Sequence, residues 1–140
     1  MNEFKTKLDS ILKADTTLRS LLSKAVAPYG IYFVRPPAKP TFPLLIYKII
    51  GGSVNAASRD VQTREFVLVI SAYSKTNCNQ ILERVKAVVN QSTAFTDMTT
   101  CRVLFIGLEN SGGDDFDPEF QTYVRDHRYR VWLLKLITGG

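Results

Sequence analysis

The chain has 140 residues, about the length of one globular domain, and its 45% of hydrophobic residues is too high for a disordered protein. Two cysteines and one histidine are too few for a disulfide scaffold or a structural zinc site. The net charge of +5 permits an acidic partner without requiring nucleic acid. We therefore expect a single domain over residues 1–140 with two free thiols.

No segment has the pattern of a membrane span or a signal peptide. The longest apolar run, residues 66–73, is far shorter than the roughly 20 residues of a spanning helix. The first ten residues alternate in charge and lack the apolar region of a signal peptide. We expect no membrane partner, and a chain that stays in a reducing cytoplasm.

The N-terminal segment has helical periodicity. Phe4, Leu8 and Leu12 recur at the spacing of one helical face. Asp15 is a good helix N-cap, and further apolar residues follow it. Residues 2–26 therefore predict either two short helices or one helix that is broken just before Asp15.

Five of the six prolines lie in the next segment, between residues 28 and 43. Residues 31–35 have the β-branched and aromatic composition of a short strand. Residues 35–40, with the sequence RPPAKP, cannot lie in a central strand because proline donates no ladder hydrogen bond. We interpret them as a stiff surface connector, with a recognition segment for a partner as the alternative.

Two apolar runs of strand length follow the prolines. Residues 44–50 are stopped by a pair of glycines, and residues 64–73 are apolar on both faces, as in a central strand that is covered on both sides. The polar segment 51–63 between them is too long for a tight turn. Because it has little apolar surface, we expect it to be mobile until Arg59 and Arg64 contact a partner.

An amphipathic helix and further strands complete the predicted fold. Residues 77–91 place apolar side chains on one helical face, where Cys78 is expected to pack as a small apolar residue. Residues 101–108 predict one strand, and residues 120–137 predict one bent strand or two. This order predicts an α+β fold, with a mainly antiparallel sheet of about four to five strands and helices packed against it.

The sequence contains no catalytic constellation. His127 lies between Asp126 and Arg128, and neighbouring residues of a strand point to opposite faces of its sheet. Asp126 therefore cannot orient the imidazole as a triad carboxylate does. We predict a surface or interface histidine, no enzyme activity and no cofactor.

Acidic residues are concentrated in residues 109–119, with the sequence ENSGGDDFDPE. Asp114, Asp115 and Asp117 could offer oxygen ligands to a cation, but the spacing of an EF-hand is missing. We interpret the segment as a solvated turn rather than a metal site. A weak cation site and an acidic interaction loop are the alternatives.

Arginines lie among aromatic residues in the last predicted strand. Arg125, Arg128 and Arg130 lie in the same segment as Tyr123, Tyr129 and Trp132. This mixture can bind single-stranded nucleic acid, but the same residue types are enriched at protein interfaces. Because no nucleic-acid recognition motif is present, we favour a protein interface.

Residues 29–52, YGIYFVRPPAKPTFPLLIYKIIGG, resemble the N-terminal signature of the tail terminator (tail completion) proteins of long-tailed bacteriophages. The order of the predicted elements also resembles that family over most of the chain. The matching features are, in chain order, Asp15 with Leu18, Tyr32 and Phe33, Pro36 and Pro37, Phe42 and Pro43, the glycine pair, and Ala72, Tyr73 and Ser74.

The resemblance implies an assembly protein and no enzyme. Such proteins form rings, commonly of six subunits, that cap the head-proximal end of the tail tube and stop its growth. The implied partners are further copies of the chain, the tail tube protein and the head-completion (stopper) protein, in the virion tail after assembly in the host cytoplasm. The alternatives are a head–tail connector or other neck protein, and a basic nucleic-acid-binding module.

A ring is built from head-to-tail contacts, so two different patches of each subunit have to be complementary. The acidic segment 114–119 and the region of Arg59 and Arg64 have opposite charge and are a hypothesis for such a pair. The residues predicted at the assembly interface are Arg59, Arg64, Asp114, Asp115, Asp117, Arg125, Arg128 and Arg130.

Overall fold

The computed structural model describes residues 2–24, 26–56, 61–90, 95 and 98–136. The described elements form one six-stranded sheet in the order β1-β2-β3-β6-β4, with β5 also paired to β6. The predicted α+β fold is confirmed, although the sheet is larger than expected and its β1–β2 pair is parallel. The elements are α1 (Asn2–Ala14), α2 (Thr16–Leu21), β1 (Ile31–Phe33), β2 (Leu44–Ala56), β3 (Val61–Ser74), α3 (Cys78–Val89), β4 (Cys101–Ser111), β5 (Asp115–Asp117) and β6 (Thr122–Leu136).

The N-terminal segment forms two helices, and Asp15 separates them. Its Oδ2 accepts a hydrogen bond of 2.9 Å from the backbone N–H of Leu18, which caps α2 as predicted. The same carboxylate accepts two hydrogen bonds from Arg84 on α3, at 2.8 and 2.6 Å, and so joins the helices. The second helix ends earlier than expected, since Leu22 is its C-cap and Val26 is exposed.

All three helices pack on one face of the sheet and share one core with it. The apolar face of α3 is buried as predicted, and the buried side chains of α1 and α2 are those with helical spacing. The sheet contributes side chains at alternate positions, as the period of a strand requires. The core includes Phe4, Leu8, Leu12, Leu18, Ile81, Leu82, Val85, Val89, Leu45, Tyr47, Phe66, Leu68, Ile70, Tyr129 and Val131.

β3 is a central strand, as predicted, but helices cover only one of its faces in the described part of the chain. It pairs with β2 on one side and with β6 along its whole length on the other. On the face opposite the helices, Val69 is nevertheless buried, and its cross-strand neighbours there are Lys48 and Arg128. Long basic side chains can cover an apolar neighbour with their methylene stems.

The glycine pair does not end β2, and the expected long loop is mostly a hairpin. The register shifts between Ile50 and Ser53, and both glycines have positive φ (67° at Gly51 and 141° at Gly52). This is a bulge, which glycine permits because it lacks a Cβ, and the strand continues beyond it to Ala56. Residues 57–60, including Arg59, lie outside the described residues.

Within the described ranges, no helix is both long enough and apolar enough to cross a membrane.

Candidate assembly interface

The sheet face opposite the helices carries the alternate residues of β6, including two of the predicted arginines. Arg128 is exposed there, opposite Val69 on β3. Arg130 is held between two carboxylates, with one guanidinium nitrogen contacting Glu65 and another donating to Glu109 at 2.7 Å. Arg130 is therefore already paired with two carboxylates of its own chain, which leaves fewer of its hydrogen-bond donors for nucleic acid or for a charged partner.

Exposed aromatic side chains lie beside this ion-paired cluster. Trp132 and Phe105 are cross-strand neighbours on β6 and β4, and they are 45% and 52% exposed. The Phe105 ring lies over Gly107, where a Cβ would come within 2.7 Å of it. Large aromatic side chains beside paired charges are typical of surfaces that other proteins cover.

β4 and β5 form one edge of the sheet, because both pair with the same side of β6. The edge is interrupted at Gly112, whose N–H donates to the Asp126 carbonyl at 2.9 Å. Arg125 holds the interruption through a 2.8 Å hydrogen bond to the Gly112 carbonyl and lies 3.8 Å from the Asp114 carboxylate. Asp114 and Arg125, two of the predicted interface residues, are thus brought together within one chain.

The acidic segment is an ordered strand and turn. The Asp117 carboxylate accepts backbone hydrogen bonds from Glu119 and Phe120, at 2.9 and 3.2 Å, and so shapes the turn that leads into β6. Asp115 is exposed at the open edge of β5. Between these two carboxylates Phe116 is 48% exposed, and its ring packs edge-on against Tyr123 at 5.5 Å.

The β2–β3 hairpin gives little support to the hypothesis that Arg59 and Arg64 form a basic patch. Arg59 lies outside the described residues. Arg64 is partly buried on β3, and its Nε has no hydrogen-bond partner among the residues that the structure describes. The hypothesis that this region complements the acidic segment therefore remains a prediction.

The opposite edge of the sheet has a basic groove that the sequence analysis did not identify. It lies between α1 and β1, has a volume of about 430 Å³, and its lining includes Lys5, Asp9, Lys13, Phe33 and Arg35. Asp9 is satisfied within the groove, because Tyr47 donates to it at 2.7 Å and Lys13 pairs with it at 2.8 Å.

The other two cations of the groove, Lys5 and Arg35, are not paired with a carboxylate in the described ranges. The Lys5 Nζ lies 4.2 Å from the centroid of the Phe33 ring, at the distance of a cation–π contact. Neither Lys5 nor Arg35 forms an ion pair with any described residue. The groove therefore presents positive charge beside an aromatic surface.

Three titratable side chains with shifted pKa values, His127, Cys78 and Cys101, are buried in the described core. His127 is only 1% exposed, so the expected surface position is wrong; burial lowers its pKa, and its Nδ1 lies 3.3 Å from the Tyr129 hydroxyl. Cys78 and Cys101 are free thiols, as expected, and burial raises the pKa of both. In the described part of the chain, no three His, Cys, Asp or Glu side chains are grouped to hold a metal ion.

The chain is similar in fold to a chain of a solved particle, described as the virion of a native gene transfer agent (GTA) particle. The superposition has a TM-score of 0.60 at 16% sequence identity and covers 91% of each chain. This likeness shows a shared fold over almost the whole domain. No protein-family model matches the chain, and neither does any curated protein.

Proposed function

We propose that the chain is a non-enzymatic structural protein of a phage-like particle, and that within the particle it acts as a tail terminator. In this role copies of the chain form a ring that caps the head-proximal end of the tail tube, stops its growth and enables the head to join. The observation that carries the proposal is the fold shared with a chain of the gene transfer agent virion over 91% of both chains.

Two features of the chain support the choice of a terminator within that class. Residues 29–52 carry the terminator-like signature, and they include β1, the proline-rich connector and β2 as far as the glycine pair. Among the described strands, β1 lies at one edge of the sheet beside the basic groove, and β5 lies at the other edge in the acidic segment. The outer face of the sheet carries the exposed aromatic side chains Phe105 and Trp132. A subunit with two different patches can assemble head to tail into a closed ring.

The proposed function is tested by deleting the gene from the genome that produces the particle and imaging the products by electron microscopy. Loss of a terminator leaves tail tubes of irregular, excessive length that carry no heads. The wild-type gene supplied in trans should restore uniform, joined tails. A culture that makes tubes of normal length without heads would instead indicate the neck protein, and unchanged particles would refute both roles.

A further inference from the structure

We infer that the acidic edge strand β5 of one copy docks onto the basic groove between α1 and β1 of the next copy. This inference rests on the proposed ring and names the two surfaces that close it. The occupant of the groove is a second copy of this chain, and its contacting segment is Asp115–Asp117 with the turn that follows.

Charge is the first argument. Lys5, Lys13 and Arg35 line the groove with the single carboxylate of Asp9, which Lys13 and Tyr47 already satisfy. The edge at β5 carries four carboxylates, of which Asp114 alone forms an ion pair, with Arg125, among the residues that the structure describes. Complementary potentials steer encounters and fix the register of an interface. The carboxylates are Asp114, Asp115, Asp117 and Glu119.

The second argument is the position of an exposed aromatic side chain. Phe116 pairs across the strands with Tyr123, which shares a face of β6 with the buried residues Tyr129 and Val131. Phe116 therefore lies on the helix-bearing side of the sheet, the side on which the groove opens between α1 and β1. In a sheet that continues from one copy to the next, Phe116 faces the aromatic wall formed by Phe33, which is itself 39% exposed.

Strand direction is the third argument. β1 is parallel to β2, and each of the steps β2–β3, β3–β6 and β6–β5 is antiparallel. β1 and β5 therefore run in opposite directions at opposite edges of the sheet. When two copies with the same orientation meet at these edges, the two strands run antiparallel, which is the commoner direction of pairing. The Ile31 N–H and the Phe33 carbonyl of β1 already form hydrogen bonds within the chain, with Pro28 and Arg35, so the contact depends mainly on side chains.

The inference is tested by charge reversal, with mass measured by sedimentation over a concentration series. An acid-reversed variant carries Asp115→Lys and Glu119→Lys, and a groove-reversed variant carries Lys5→Glu and Arg35→Glu. These four side chains have no ion pair within the described subunit, so each variant should keep its fold, which circular dichroism and thermal unfolding verify. Each variant alone should weaken self-association at least about tenfold, because like charges then meet at the junction.

Restoration is the decisive measurement. An equimolar mixture of the two variants should assemble again, because each reversed patch meets its opposite on the other chain. One chain with all four substitutions should also assemble alone. Phe116→Ala should weaken association, whereas Leu104→Ala, which truncates another exposed apolar residue away from β5, should not.

A matched control reverses two other exposed cations on the outer sheet face, with Lys48→Glu on β2 and Arg102→Glu on β4, and should leave association unchanged. If the acid-reversed or the groove-reversed variant still assembles, the docking of β5 is wrong. It is also wrong if the outer-face control is the one variant that fails to assemble. In both cases the proposed function would stand. A wild-type chain that stays monomeric with and without tail tubes would overturn the ring and this interface together.

Discussion

The contact that joins the first helices to α3 depends on one carboxylate, and its removal should have a measurable cost. Asp15 caps α2 and also binds Arg84 through both of its oxygens. An N-cap contributes typically about 1 kcal/mol. The side chains of Asp15 and Arg84 are 14% and 36% exposed, so their ion pair is only partly shielded from water and contributes at most about 1 kcal/mol. Asp15→Ala should therefore destabilise the protein by about 2 kcal/mol.

A double-mutant cycle separates the two roles of this carboxylate. Asp15→Asn keeps an oxygen that can cap the helix but loses the charge, so it should lower the free energy of unfolding by about 1 kcal/mol. Because the ion pair is then already lost, adding Arg84→Met should lower the free energy of unfolding little further. Urea unfolding at pH 7 measures each variant. Asp126→Asn is the control, because that carboxylate has no hydrogen bond or ion pair in the described structure, and it should change stability by less than about 0.5 kcal/mol.

The coupling energy between Asp15 and Arg84 should also depend on pH. The hydrogen bonds from Arg84 are the main reason why the pKa of Asp15 lies below its ordinary value of 3.8 in the folded protein. Because this pKa is lowered on folding, the contribution of the Asp15–Arg84 ion pair to the free energy of unfolding is fully present above about pH 4. It is lost as the pH falls through the pKa of Asp15 in the folded protein. A coupling energy below about 0.3 kcal/mol at pH 7 would refute the ion pair as a link between the helices.

Three further predictions concern the core. Leu68→Ala, on the fully buried face of β3, should cost about 2–5 kcal/mol in urea unfolding, and a loss below about 1 kcal/mol would contradict its central position. Because burial lowers the pKa of His127, the chain's one histidine, below 6.5, stability should fall as the pH drops from 7 to 5.5; His127→Gln should abolish that slope, and an unchanged slope would assign it to other groups. Both cysteines should resist a thiol reagent at pH 8 in the native protein and react in urea, whereas rapid native labelling would contradict their burial.

Much of the local structure could be predicted from the sequence because it depends on neighbours along the chain. The helical spacing of apolar residues located α3, and Asp15 marked the start of α2. The period of a strand puts His127 on the opposite face of β6 from Asp126 and Arg128, but it could not show that the face of His127 is the buried one. A neutral imidazole can be buried beside a tyrosine hydroxyl, and nothing in the residue type reveals this.

Most features that the sequence did not predict depend on residues that are far apart in the chain. The basic groove combines Lys5 on α1 with Arg35 after β1, and the parallel β1–β2 pair aligns strands that the proline-rich segment separates. The acidic segment did contain a local signal, since Asp115, Phe116 and Asp117 alternate with the period of a strand. The glycine pair predicts the end of β2, but the conformational freedom of glycine also permits a bulge within a strand, and the structure has a bulge there.

The insertion of β6 between β3 and β4 also governs how the molecule is made. A ribosome synthesises both neighbours of this central strand before the strand itself, so β3 and β4 emerge with unpaired edges. The sheet cannot be completed until the ribosome has synthesised β6 as far as Leu136. Its strand pairs also join distant parts of the chain, and folds with such long-range pairs are typically slow to form. Nascent chains that stall before β6 should therefore be targets for chaperones and proteases, so a folded chain becomes available only after its translation has passed β6.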